Sequence, residues 1–281
     1  MLLFLLFLII YVMTVIGNVM IITVIQLDSI LHKPMYFFLT NLSLLEIFYT
    51  TTITPNSIKI FLLNDGTISL IGCFTQMFFF VALGGSECIL LTIMAYDRYN
   101  AVCQPLLYSK IMSPSLCLHL AAISWSTGVL NSFIQTSFVA FLPYCKGNKI
   151  SHFFCDLPAV LKSCGSEKLG NFLALLIGEC IVAGSLTLTV ASYICIIKVV
   201  LSSPSKHAGH KIFSTCGSHL TVVIFFFGTI LIPFIHPSSP SSFENDGTLA
   251  VIYGILTPFL NPFIYSIRNK DFKNAVNKLL V

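Results

Sequence analysis

Charge is what this sequence has least of. Only 9% of its 281 residues are Asp, Glu, Lys or Arg, against about 25% in a soluble domain. Met1 to Leu27 carries none at all, and neither does the stretch from Ile212 to Phe243. Such scarcity excludes an ordinary soluble protein. The net charge is only +4, and the basic residues are scattered, which excludes a nucleic-acid-binding stripe. The chain also lacks low-complexity tracts, repeats of fixed period, a glycine-rich phosphate loop and a Ser/His/Asp signature. Nothing points to an enzyme.

What the sequence does have is apolar length. It is 56% hydrophobic, with a mean hydropathy of +0.90. A helix crosses a bilayer with about 20 mostly apolar residues. Seven stretches qualify, at about 2–26, 35–62, 71–97, 117–142, 170–197, 213–236 and 248–267. Continuous apolar runs read as helices, since barrel strands would alternate apolar and polar. The first stretch lacks the basic leader of a signal peptide and outruns its usual apolar length, so it reads as a span. The expected fold is an all-α membrane protein, one seven-helix domain over residues 1–281.

Basic residues set the orientation. Lys33, Arg98, Lys110, Lys198, Lys206, Lys211, Arg268, Lys270, Lys273 and Lys278 fall at one set of helix ends. Lys59, Lys146, Lys149, Lys162 and Lys168 fall at the other. The first set marks the cytoplasm. The N-terminus is then outside and the C-terminus inside. The tail, about 269–280, carries Phe272, Val276, Leu279 and Leu280 at helical spacing, which suits a short amphipathic helix on the inner membrane surface.

Of ten cysteines, Cys73, Cys145, Cys155 and Cys164 face the oxidising side. Four allow three pairings, and spacing does not choose among them. Cys88, Cys103, Cys117, Cys180, Cys195 and Cys216 read as small, reduced apolar side chains. Three acids lie within spans: Glu46, Glu87 and Glu179. Each is costly there unless paired, protonated or bound to a cation. Glu87 lies about three helical turns before Arg98, on the same face. His119 and His219 read as packing or interhelical bonding residues, His207 and His210 as solvated loop residues.

Four strings carry more specific information. Leu31-His-Lys-Pro-Met-Tyr-Phe-Phe-Leu39 opens the second span. Met94-Ala-Tyr-Asp-Arg-Tyr-Asn-Ala-Val-Cys-Gln-Pro105 closes the third. Lys211-Ile-Phe-Ser-Thr-Cys-Gly-Ser-His-Leu-Thr-Val-Val223 opens the sixth, and Pro258-Phe-Leu-Asn-Pro-Phe-Ile-Tyr-Ser-Ile-Arg-Asn269 closes the seventh. In this order the chain resembles the vertebrate odorant receptors, a rhodopsin-like branch of the G-protein-coupled receptors.

The resemblance implies roles for individual residues. Gly17 and Asn18 match a first-span pair whose Asn bonds neighbouring helices. Asp97, Arg98 and Tyr99 match the activation switch, Arg98 being held by Asp97 at rest and facing the G protein when active. Ser192 and Tyr193 match a fifth-span pair whose Tyr closes toward that Arg. Asn261, Pro262 and Tyr265 match the seventh-span switch. Cys73 is implied to pair with Cys155, and Cys145 with Cys164. Glu46 and Glu87 match a pair lining a sodium site, though Glu46 stands where Asp is usual; the alternative is a pair sharing one proton. No other cofactor is implied.

A ligand would lie between the helices in the outer half. Helical spacing from Arg98 turns Phe80, Val81, Gly84 and Gly85 inward, and spacing from Tyr193 does the same for Ile177 and Ile181. Phe227, Ile230, Leu231 and Phe234 are expected from the sixth span, Val251 and Gly254 from the seventh. The pocket reads as dry and mostly hydrophobic. Glu179 is the one charged candidate partner, for an amine, although a protonated side chain bonded to a neighbouring helix is the favoured reading.

The implied function is an odorant receptor at the plasma membrane of olfactory cilia. It would take a small apolar ligand and activate a stimulatory, olfactory-type G protein to raise cAMP. A receptor of the same fold for an endogenous metabolite is the alternative. A transporter would show two matching halves, which are not visible. Two features depart from the family pattern. The glycosylated outer tail is missing, the sequon Asn41-Leu-Ser43 lying inside the second span, and Asn100 stands where Val or Ile is common.

Overall fold

The structure is a computed structural model describing residues 2–63, 67–141, 154–157, 160–161, 168–202, 206–235, 252–268 and 270–280. Among these residues the secondary structure is helical. We label the helices α1 (Leu2–Leu27), α2 (Pro34–Leu63), α3 (Leu70–Cys103), α4 (Tyr108–Ile111), α5 (Pro114–Ala140), α6 (Lys168–Leu201), α7 (Lys206–Ile235), α8 (Thr257–Arg268) and α9 (Lys270–Leu280). A 3-10 turn, Ser29–Leu31, joins α1 to α2, and a π-helical turn, Ile252–Leu256, leads into α8.

Local chemistry sets several ends. The Ser69 hydroxyl caps α3 by accepting from the Gly72 amide, and Ser113 caps α5 by accepting from Leu116, with Pro114 in the first turn. Each satisfies an amide that the helix leaves orphaned. At the other end of α3, Pro105 follows the cap residue Gln104 and stops propagation.

Several helices outrun the apolar stretches that announce them. Helix α3 continues to Cys103 rather than ending near Asp97, so Asp97 and Arg98 lie inside its last turns. Helix α7 begins at Lys206, well before the apolar run near Phe213. His207 and His210 are therefore on a helix, not in a loop. Polar residues are helix-competent once the helix leaves the hydrocarbon, and hydropathy is blind to that.

Among the described residues, four helices are long and apolar enough to cross a membrane: Phe4–Leu27, Leu70–Cys103, Pro114–Ala140 and Leu176–Leu201, with a shorter apolar segment at Cys216–Leu231. Their outward faces are greasy. Ile16, Leu130 and Phe133 are 59%, 61% and 62% exposed. A water-soluble bundle would hide such faces, whereas lipid solvates them.

The centre of the bundle is α3, which packs most extensively on α5 and α6 and also touches α2 and α7. Gly128 makes the α3–α5 contact possible. A Cβ there would collide with the Ala82 carbonyl and with Ser86. Close approach of this kind is what small residues supply between membrane helices. Polar side chains then bond across the gaps. Ser132 Oγ donates to the Phe78 carbonyl at 2.6 Å, and Trp125 Nε1 donates to Asn41 Oδ1 at 3.2 Å. Asn41, the sequon residue, is thus an interhelical acceptor. Gly17 on α1 plays the same packing role against Pro262 on α8, where a Cβ would sit 2.9 Å from the proline Cβ.

The tail helix uses its apolar face differently from the expectation. Phe272 and Ala275 are buried in the bundle core, with Val276 packed beside them, while Leu279 is exposed. The rim carries two ion pairs to the α1–α2 connection, Lys33–Asp271 at 3.1 Å and Lys278–Asp28 at 3.8 Å.

Candidate functional site

Three polar constellations run along α3. The first, toward the N-terminal end of α3, is a cavity of about 200 Å³ bounded by α2, α3, α5, α6 and α7. Phe80, Val81, Gly84 and Gly85 of α3 line it, with Ile181 of α6 and Ile230 of α7, as helical spacing predicts. Other expected residues lie elsewhere. Ile177 is 38% exposed and faces out of the bundle. Phe227 is buried in the core beside the cavity, and its neighbour Phe226 lines the wall instead. One residue is about 100° of helix phase, a step that spacing extended over many turns does not resolve. Leu231 is partly buried and outside the lining. Gly254 is buried against Ile53 and Phe154, away from the cavity. Val251 and the side chain of Phe234 lie outside the described residues. Glu179 corrects the sequence reading most clearly. It is exposed on the outer face of α6 rather than buried, so it does not serve the cavity.

The sequence reading overlooked Tyr49, Cys88, Asn131, Gln135, Gly178, Val182 and Thr229, which also line the wall. Asn131 and Gln135 were findable. They are amides one turn apart in an apolar span, where polar side chains require partners. Gln135 Nε2 donates to Asn131 Oδ1 at 3.0 Å.

The roof of this region is fastened to α3. Cys73 and Cys155 form the disulfide that the resemblance implies. The Cys155 amide donates to Gln76 Oε1 at 2.9 Å, while Gln76 Nε2 donates to the Thr52 carbonyl of α2. Phe154 then packs at a tilt against Phe80 with centroids 5.1 Å apart, and Phe80 against Tyr49 at the same spacing. The expected pair Cys145–Cys164 lies outside the described residues. The other six cysteines are free thiols.

The middle constellation is a buried cluster from four helices. Asn18 of α1, Glu46 of α2, Glu87 of α3 and Asn261 of α8 are each at most 2% exposed. Asn261 Nδ2 donates to Glu46 Oε1. Asn18 and Glu87 lie close enough to act on the Glu46 carboxylate. Glu87 Oε1, Asn18 Oδ1 and Asn261 Oδ1 have no hydrogen-bond partner among the described residues. Orphaned buried oxygens are rare and need an explanation. Two carboxylates with amide oxygens form a hard-oxygen set of the kind that holds an alkali or alkaline-earth cation. The residues fit a small cation.

The third constellation, toward the C-terminal end of α3, surrounds Arg98. Its Nε and Nη2 donate to Asp97 Oδ2 at 3.1 and 2.7 Å. Asp97 has no exposed surface, and its Oδ1 accepts from the Tyr108 hydroxyl at 2.7 Å. Burial, and then the neighbouring Asp97 charge, raise the Tyr108 phenol above its ordinary range. It therefore stays a donor. Tyr108, the first residue of α4, thereby closes the lock, a partner not visible from spacing alone. Beside it, Tyr193 of α6 and His219 of α7 meet at 2.7 Å, and His219 Nε2 donates to the Leu91 carbonyl of α3 at 3.1 Å. Nδ1 of the neutral ring then accepts from Tyr193. Three helices are joined through one imidazole. Tyr265 is buried, and its hydroxyl lacks a partner among the described residues. Tyr99 is partly buried and takes a long bond from Gln104 Nε2 at 3.5 Å. Ser192 bonds back to the Leu188 carbonyl, and Asn100 is buried with its amide on the Tyr96 carbonyl.

A family model described as olfactory receptor matches residues 7–281. The chain belongs to the olfactory receptor family. It is 45% identical to olfactory receptor 6N1 of Homo sapiens over 279 residues, 99% of this chain and 89% of that protein. It is 44% identical to olfactory receptor 5AP2 of Mus musculus, covering 99% of this chain and 88% of that one. The olfactory receptor 5F1 of Homo sapiens is 44% identical over 99% of this chain and 89% of its own length. Olfactory receptors are multi-pass plasma-membrane receptors of sensory transduction, coupled to G proteins and not enzymes.

Proposed function

We propose that this olfactory receptor is a single seven-span bundle that takes a small, mostly apolar odorant into the α3–α5–α6–α7 cavity. Binding at that level releases the Arg98 lock and exposes the inner end of α3 to a stimulatory, olfactory-type G protein, raising cAMP. The N-terminus lies outside, the C-terminus inside, and the chain works in olfactory cilia. The observation that carries this reading is that one helix, α3, carries both a wall of the cavity and the Asp97–Arg98 pair. Between them, His219 ties α3, α6 and α7 together. A ligand that shifts α7 against α3 strains that junction directly. Arg98, freed from Asp97, would face the G protein, with Tyr193 and Tyr265 as its partners.

Asn18, Glu46, Glu87 and Asn261 would hold a sodium ion in the resting bundle. The ion would neutralise two carboxylates in a place where uncompensated charge is costly. Their packing joins α1, α2, α3 and α8.

A cAMP reporter with surface-expression control tests the reading. The wild-type chain should respond to members of a diverse odorant panel. Arg98→Ala should reduce that response by about a hundredfold while surface level holds, the upper range of a coupling between two states. Gly84→Leu should abolish it by filling the cavity. A full response from Arg98→Ala would sink the switch.

A further inference from the structure

We infer that the ligand of this receptor carries a hydroxyl group, held by the amide pair Asn131–Gln135 of α5. The inference rests on the cavity being the ligand site and adds the chemistry that selects among apolar molecules.

Consider first what the cavity lacks. None of its lining residues is Asp, Glu, Lys or Arg. Glu179, the one acid that could have met an amine there, is on the opposite face of α6. An ionised ligand would enter without a counter-charge, at a prohibitive desolvation cost. The ligand is neutral.

The polar groups that remain are few. Thr229 spends its hydroxyl on the Phe226 carbonyl of its own helix, at 2.9 Å. Asn131 and Gln135 are different. They are 6% and 3% exposed, and the single bond between them occupies one N–H and one carbonyl oxygen. Asn131 Nδ2 and Gln135 Oε1 are left without a protein partner among the described residues, at the cavity wall. Turning both amides over changes which residue offers which atom, but not the sum. In either arrangement the pair offers one whole amide NH2 and one whole carbonyl oxygen unused, with a second N–H left on the amide that donates.

A hydroxyl fits that pair. It accepts from the amide N–H and donates to the amide carbonyl. An ether or ketone could only accept, leaving the carbonyl oxygen unmet. A hydrocarbon would leave both amide groups unpaired in a dry site, the situation in which a site built for hydrogen bonding discriminates most strongly. Gly178 keeps the pair in position. A Cβ there would approach Gln135 Nε2 to 2.7 Å, so only glycine lets the amide lie against α6.

Volume limits the rest of the ligand. A cavity of about 150 Å³ takes benzene. The 200 Å³ here suits about six to ten heavy atoms by the same scaling. The Phe80 and Tyr49 rings and the Ile181 and Ile230 side chains form the apolar wall. The class is a compact aliphatic or monocyclic alcohol.

The test compares matched skeletons on the full chain at confirmed surface level. Linear, branched and cyclic alcohols of about six to nine carbons, the size set by the cavity, are each paired with their methyl ether and parent hydrocarbon. On the wild type, at least one alcohol should be about ten- to a hundredfold more potent than its ether, the usual effect of leaving a buried polar group unpaired. Asn131→Leu and Gln135→Leu should each remove that advantage while responses to the ether persist. The wild-type comparison stands even where a variant fails to reach the surface.

Equal potency of alcohol and ether overturns the assignment and leaves the cavity as the ligand site. So does a receptor that answers only to neutral compounds without a hydroxyl. Silence toward the whole panel also overturns it. If basal signalling is then insensitive to Arg98→Ala as well, the receptor reading itself fails.

Discussion

Asp97 illustrates how much one side chain decides here. It is fully buried and accepts from Arg98 on one oxygen and from Tyr108 on the other. Removing one partner of a buried pair leaves the other charge uncompensated. On the proposed switch, Arg98 in Asp97→Ala would seek new partners and the resting state would lose its lock. Basal cAMP should rise about fivefold or more at equal surface level, the size of a 1–2 kcal/mol bias between two states. An unchanged baseline would mean that Tyr193–His219, not Asp97, holds the receptor at rest. The pairing of Asp97 with Arg98 was legible in the sequence because the two are adjacent. Tyr108 was not, because its approach depends on how the chain turns after Pro105. Glu179 was misjudged for a related reason: hydropathy places a residue at a depth in the membrane, but not on a face of its helix.

At the scale of elements, α3 and α5 are held by contact rather than by greasiness, since lipid solvates apolar faces as well as another helix does. Their closest point is Gly128, which faces Ala82 and Ser86. Gly128→Leu must drive the helices apart by a side chain's width, with Ser132–Phe78 and the cavity wall moving too. Overpacking of this kind costs about 1–3 kcal/mol or more. We expect surface expression to fall several-fold, measured by flow cytometry on unpermeabilised cells. Normal expression would show that the contact is dispensable. The order of the apolar helices could be read from the runs, but their ends could not. Helices α3 and α7 continue into polar sequence that hydropathy ignores. The tail was legible as an amphipathic helix, but its apolar face meets Phe272's pocket in the bundle, and the two ion pairs to the α1–α2 connection needed the fold to bring them together.

For the whole molecule, the cluster of Asn18, Glu46, Glu87 and Asn261 draws buried polar side chains from four helices to one place. On the proposal that a cation binds there, it would stabilise the resting bundle by mass action. Replacing sodium by choline in the buffer should lower the melting temperature of purified receptor by several degrees, and Glu87→Gln should abolish that dependence. Equal melting in both salts would leave the carboxylates sharing a proton instead. A second global link runs from Cys73–Cys155 through Phe154 and Phe80 to Tyr49, so the disulfide and two aromatic walls of the cavity form one continuous run of contacts. Oxidation of that bond and the shape of the cavity are therefore coupled. A chain that leaves the secretory pathway unoxidised would carry an intact inner lock yet have no shaped place for an odorant. Receptor abundance would then not measure binding competence.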